Sequence, residues 1–188
     1  MKKNIYIELN NIIRDINTKT VQVYKSDNPE KEFGDYNGED LQEYLGVEST
    51  EELIEFMYVE APMRIFGYAG ESEEGVSFMV NEFYKKYRDS HNVFIFSNEI
   101  EKSKPATLMF LARMGILIDN IKFFPLKEFN KINKKADIII TNNQNIINVG
   151  GSSYITINKK ESDKKEVISV TSFKELVEDE YIERNEFA

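Results

Sequence analysis

Apolar residues along this chain come in two rhythms. Near-continuous runs of Ile, Val, Tyr and Phe at 4–9, 92–96, 121–124 and 137–141 predict strands covered on both faces, as in the middle of a parallel sheet. Tyr154 to Ile157 and Val167 to Val170 add two more. Between them the period lengthens. Leu108, Leu111, Ala112 and Met114 fall on one helical face, with Ser103 as a capping residue, Pro105 in the first turn and Gly115 as a left-handed stop. Ser172 with Glu175 predicts a capping box opening a last helix that buries Phe173, Leu176 and Val177. Strand, helix, strand in this order predicts an α/β fold with a parallel sheet and right-handed crossovers.

The stretch from Arg14 to Ser90 breaks the alternation and is too long for a loop. Ser49 and Glu52 precede Leu53, Phe56 and Met57, and Val76, Met79, Val80, Phe83 and Tyr87 follow at helical spacing. A helical insertion after the first strand is the simplest reading: core at 1–13 and 91–188, small helical cap at 14–90. Thr20 to Tyr24 reads as a short hairpin arm. The aromatic stripes of the insertion read as core packing. The lysine-rich segment 158–166 reads as a solvated turn, and the acidic tail 178–188 as an end that frays.

Composition narrows the function. The 188 residues, 41% hydrophobic and 30% charged, suit one globular domain with a modest insertion. Twenty-four basic against 33 acidic residues give a net charge of -9, which opposes attraction to nucleic acid or anionic lipid. With no cysteine there is neither a disulfide framework nor thiolate chemistry, and one histidine builds no His-rich metal site. The N-terminal apolar run, broken by Glu8 and Asn10, is too brief for a signal peptide or a membrane span, so a cytoplasmic protein is expected.

The candidate chemistry lies at the strand ends: Glu8, Asn10 and Asn11 after the first, Ser97 after the second, Asn142 and Asn143 after the run Ala136 to Thr141. This order resembles the haloacid dehalogenase (HAD) superfamily, and within it the phage and bacterial 5'(3')-deoxyribonucleotidases. In that family an opening strand carries two aspartates, a helical cap follows, a second strand ends in Ser or Thr, a lysine comes next, and a later strand ends in Asp-Asp. The closing segment Val167 to Leu176 is similar to the family's last strand and helix, so the resemblance spans almost the whole chain and implies a HAD-like, Rossmannoid sheet with helices on both faces.

Carried onto this sequence, the resemblance puts the nucleophilic aspartate at Glu8, the acid/base aspartate at Asn10, the following glycine at Asn11 and the metal-binding acidic pair at Asn142 and Asn143. The phosphate-contacting hydroxyl falls on Ser97 and the phosphate-neutralising lysine on Lys131, with Lys127 as the second candidate.

These exchanges matter chemically. Glutamate moves the carboxylate by one methylene, about 1.5 Å, and a misplacement of about 1 Å costs on the order of 100-fold. An amide neither gives nor takes a proton near neutral pH, so the roughly 100- to 10,000-fold contribution of leaving-group protonation is lost at Asn10. Mg2+ wants anionic oxygens and dehydrates reluctantly, and only Glu8 among these positions carries formal charge. Asparagine is frequent throughout the chain, but three amides at the ends of two strands are hard to assign to chance.

The expectation is therefore a catalytically inactive HAD-like protein with no cofactor and no metal. It would serve as a structural or interaction subunit whose partners are other proteins in a larger assembly, such as a bacteriophage virion. The alternatives are a Mg2+-dependent phosphomonoesterase of the deoxyribonucleotidase type and a non-hydrolysing nucleotide- or phosphate-binding protein. Other motifs carry less. His91 beside Ser90 reads as a loop histidine, Asn148 to Ser153 as a turn, and Glu71 to Glu74 as acid favouring the start of the next helix.

Overall fold

A computed structural model describes residues 2–38, 40–99, 102–158, 167–179 and 181–182. The predicted turn at 159–166 and most of the acidic tail, 180 and 183–188, lie outside the described residues.

The predicted strands appear as β1 (Asn4–Glu8), β4 (Asn92–Asn98), β5 (Ile121–Phe124), β6 (Ile138–Ile140), β7 (Ser153–Ile157) and β8 (Val167–Val170). They form one six-stranded sheet in the order β5-β4-β1-β6-β7-β8, with every pairing parallel. β1 is central because its Ile5 and Ile7 are fully buried, with Tyr6 between them buried on the opposite face. On one face Ile5, Ile7, Ile95, Ile140 and Ile155 pack with α4 (Val76–Tyr87), α5 (Ser103–Arg113) and α7 (Phe173–Glu178). On the other, Tyr6, Phe96, Phe124, Ile139 and Tyr154 pack with α6 (Gln144–Ile147) and the 3-10 helix Leu126–Lys134.

The connection after β1 leaves the sheet through β2 (Arg14–Asp15) and returns through β3 (Gly70–Glu71), which pair antiparallel. Between them lie α1 (Ile16–Asp27), α2 (Leu41–Leu45), α3 (Thr50–Glu55) and two π-helical turns, Phe56–Glu60 and Met63–Gly67. These elements bury a separate cluster that includes Val21, Tyr24, Phe56, Tyr58 and Phe66. α4 packs with the sheet rather than with that cluster, because Val76, Val80, Phe83 and Tyr87 face β-strand residues and Phe173 of α7. The cap cluster also takes in Ala106 of α5, so cap and core pack together at that helix.

Thr20 to Tyr24, expected as a hairpin arm, lies inside α1. The Asp15 carboxylate accepts from Thr18 N and caps that helix, and Val21, Val23 and Tyr24 bury its inner side. Ser103 is the first residue of α5 and is buried, whereas Lys102 at the cap position makes no side-chain capping bond. Gly115 takes φ +64 and stops that helix as expected. Ser49 and Ser172 both cap, accepting from Glu52 N and Glu175 N at 3.1 Å. In each box the glutamate reaches one residue further back than expected, accepting from Glu48 N and Thr171 N.

Candidate functional site

The sheet reverses direction of growth at β1, which has β4 on one side and β6 on the other. Such a switch point leaves a crevice beyond the carboxyl ends of the strands. Glu8 ends β1 and pairs in register with Phe96, one residue before Ser97, while Ile7 is in register with Ile140, one residue before Thr141. Glu8, Ser97 and the Thr141 to Asn143 segment are therefore brought to the same end of the sheet.

Glu8 is 6% exposed. Its Oε2 accepts from the Thr141 hydroxyl, which in turn accepts from Asn143 N at 3.0 Å. Burial pushes the Glu8 carboxyl up to about 7, and the hydrogen bonds from the Thr141 and Asn143 side chains hold it back only in part. Glu8 lines a cavity of about 230 Å3 with Asn11, Asn17, Asn142 and Asn143. A larger cavity of about 580 Å3 shares Asn11 and Asn142 and adds Ser72, Glu73, Asn158, Thr171 and Ser172.

The amides at the expected aspartate positions have structural work. Asn10 Oδ1 accepts from Arg14 Nε at 3.0 Å and from Arg14 Nη2 at 2.6 Å. Asn142 bonds both ways to the backbone of Ile157, donating from Nδ2 and accepting at Oδ1, each at 2.9 Å. Asn143 caps α6 by accepting from Asn145 N. Asn11 holds a left-handed φ of +62, the conformation that the family's glycine adopts freely.

Behind this row lies a network that the sequence did not disclose. Arg14 is fully buried, and its Nη2 lies 2.9 Å from Glu99 Oε1, with neither side chain exposed. Nη1 donates to the Phe66 carbonyl at 3.1 Å and to the Thr107 hydroxyl at 2.7 Å. The same Glu99 oxygen accepts from Ser97 at 2.8 Å and from Thr107 at 2.7 Å. Rings of Phe66 and Phe110 lie 4.9 and 5.3 Å from the guanidinium. Burial lowers the Arg14 pKa, with Glu99 opposing the shift, and burial followed by the Glu99 charge raises the Tyr58 hydroxyl. The Ser97 hydroxyl, expected to contact phosphate, is thus engaged with Glu99. Lys131 pairs on the surface with Glu128 at 2.6 Å and lines neither cavity. The side chain of Lys127 lies outside the described residues.

The secondary motifs keep their plain readings. Ser90 and the His91 ring hydrogen bond at 2.8 Å. Glu71 accepts from Gly75 N and Ser77 N at the start of α4. Burial pushes the Glu71 carboxyl up, but the Ser77 and Gly75 bonds outweigh it and leave it lowered.

The donor set does not fit a hard divalent cation. Glu8 is the only carboxylate in the inner cavity, the oxygens of Asn10, Asn142 and Asn143 already accept from protein groups, and no group of three His, Cys, Asp or Glu stands together among the described residues.

No protein-family model matches the chain, and no curated protein matches it in sequence. Solved structures do match in shape. A haloacid dehalogenase-like hydrolase from Streptococcus pneumoniae aligns with a TM-score of 0.58 at 11% identity, covering 94% of this chain and 97% of that one. A haloacid dehalogenase-like family hydrolase from Xanthomonas campestris gives 0.56 at 9%, covering 94% and 93%. A protein described as a HAD-hydrolase from Bacillus subtilis bound to magnesium gives 0.53 at 12%, covering 93% and 96%. The chain has the HAD-like fold.

Proposed function

We propose that this chain is a HAD-fold protein that does not hydrolyse phosphoesters and that serves as an interaction subunit for other proteins. One observation carries the reading. The Arg14–Glu99 network takes up the Ser97 hydroxyl and joins the cap, through the Phe66 carbonyl, to Thr107 of α5 and Glu99 after β4. A buried ion pair, in which Glu99 Oε1 accepts from Arg14, Ser97 and Thr107 while Oε2 has no hydrogen-bond partner among the described residues, ties cap to core, whereas a hydrolase of this kind needs a cleft that admits substrate and closes over it. Asn10 supports the same reading, because its carbonyl oxygen orients Arg14 and its amide cannot protonate a leaving group.

The test is phosphate release from deoxynucleoside monophosphates and p-nitrophenyl phosphate with millimolar Mg2+. Release at the level of a protein-free blank is expected, and turnover lost in Glu8→Ala overturns the reading. A protein partner, in a virion or another assembly, is sought by affinity capture from the native source under crosslinking. A chain that stays monomeric and captures nothing removes the interaction role.

A second reading is a Mg2+-dependent phosphomonoesterase of the deoxyribonucleotidase type. Glu8 supports it, keeping a carboxylate at the carboxyl end of β1 on an open cavity, as does the description of the structural neighbours as hydrolases.

A further inference from the structure

We infer that the cleft beyond β1 binds a primary ammonium group, as carried by a small amine or by the lysine side chain of a partner. The inference rests on the non-hydrolytic reading of the same cleft and gives it a ligand.

Among the described residues, neither cavity is lined by a lysine or arginine. Arg14 is fully buried and paired with Glu99, and Lys131 is paired at the surface. The described lining therefore offers a phosphate no positive charge, in a chain of net charge -9. It offers a cation several groups. Glu8 faces the inner cavity with one oxygen held by Thr141, and the side-chain amides of Asn11 and Asn17, on the same wall, have no protein partner among the described residues. An ammonium has three donors and no acceptor, so a carboxylate oxygen with two amide carbonyls is a matched set.

The outer cavity shares Asn11 and Asn142 with the inner one and adds a second carboxylate, Glu73. Asn11 keeps a side chain on a left-handed backbone where glycine would be unstrained, and that side chain lines both cavities. Asn142, bonded in both directions to Ile157, lines both cavities.

The experiment is isothermal titration of the full chain at pH 8, where Glu8 is ionised, with n-butylamine, Nα-acetyl-lysine methylamide, tetramethylammonium, potassium chloride and inorganic phosphate. Butylamine or the lysine derivative binds, tetramethylammonium and potassium bind at least tenfold more weakly, and phosphate gives no heat. Tighter binding of the lysine derivative identifies a partner side chain as the source, and tighter butylamine binding identifies a small molecule. Glu8→Gln keeps the Thr141 contact and weakens the amine at least tenfold; should it not fold, Asn17→Ala is the second variant and weakens it severalfold. No heat with either amine, equal binding of tetramethylammonium, or amine binding unchanged in both variants overturns the inference. Phosphoester turnover would remove the reading beneath it by a separate assay.

Discussion

Arg14 and Glu99 sit 85 residues apart in sequence and 2.9 Å apart in space, both closed to solvent. Neither is one of the strand-end positions Glu8, Ser97, Asn142 and Asn143, yet between them they engage Asn10, Ser97, Thr107 and the Phe66 carbonyl. Behind the strand ends they form a charge pair closed to solvent.

Removing one member of a buried pair strands the other, at roughly 3–5 kcal/mol, while replacing both with apolar groups of similar volume is far milder. Arg14→Met and Glu99→Leu should each lower the urea midpoint strongly. Arg14→Met with Glu99→Leu should lose less than the two singles summed. Additive losses in the double-mutant cycle would show that the residues do not act as a pair.

Glu8 gives a pH dependence. Its folded pKa, about 7, lies above the ordinary glutamate value of 4.5, so the folded state holds the proton over a range where the unfolded chain has released it. Stability from this group is full below about pH 4.5, falls as pH rises toward 7, and is lost above that, a change of about 3 kcal/mol at 1.36 kcal/mol per pKa difference of one. Glu71 and Glu175 are shifted the other way, so their stabilisation is lost only on acidification below the ordinary carboxylate range. Of these three carboxyls, only Glu8 changes its contribution between pH 5 and 8. Glu8→Gln should leave the melting temperature nearly unchanged at pH 5 and raise it by several degrees at pH 8; an equal shift at both would contradict the assignment.

Much of this is legible in the residues alone. The strands at Ile5–Ile7, Val93–Phe96 and Ile138–Ile140 stand out because residues buried on both faces leave an unbroken apolar run. Their ends place Glu8, Asn142 and Asn143 together, and the structure lines one cavity with all three. The Thr20 to Tyr24 segment misleads because β-branched residues suit strands, yet the Asp15 cap and burial against the cap's aromatic cluster make it helical. The Arg14 network has no local signature. A buried ion pair depends on three segments converging, and composition alone reads each of its members as surface.

The left-handed turn at Asn11 predicts a residue order. Asparagine tolerates φ near +60, glycine adopts it freely, and alanine pays about 1 kcal/mol or more. Asn11→Ala should destabilise by about that amount and Asn11→Gly should not, as read from denaturation midpoints. Equal losses would mean that the Asn11 amide contributes to stability through a contact of its own.

Asn142 offers a test of an acid introduced at this strand end. Its amide donates to the Ile157 carbonyl and accepts from the Ile157 amide, reproducing with one side chain the paired bonds of a strand neighbour. Asn142→Asp keeps the acceptor and loses the donor, leaving a carboxylate oxygen against a carbonyl oxygen in a partly buried place. The cost of an unmade bond there is about 1–3 kcal/mol, and the repulsion adds to it. The variant should therefore melt lower at pH 8 and recover as the pH falls through the carboxylate range, since the introduced carboxyl can donate again once it is protonated. It should also release no phosphate with Mg2+, because Asn10 remains bound to Arg14 and supplies no acid. Restored stability with measurable turnover in this single variant would mean that the cleft stands one residue away from a working phosphatase.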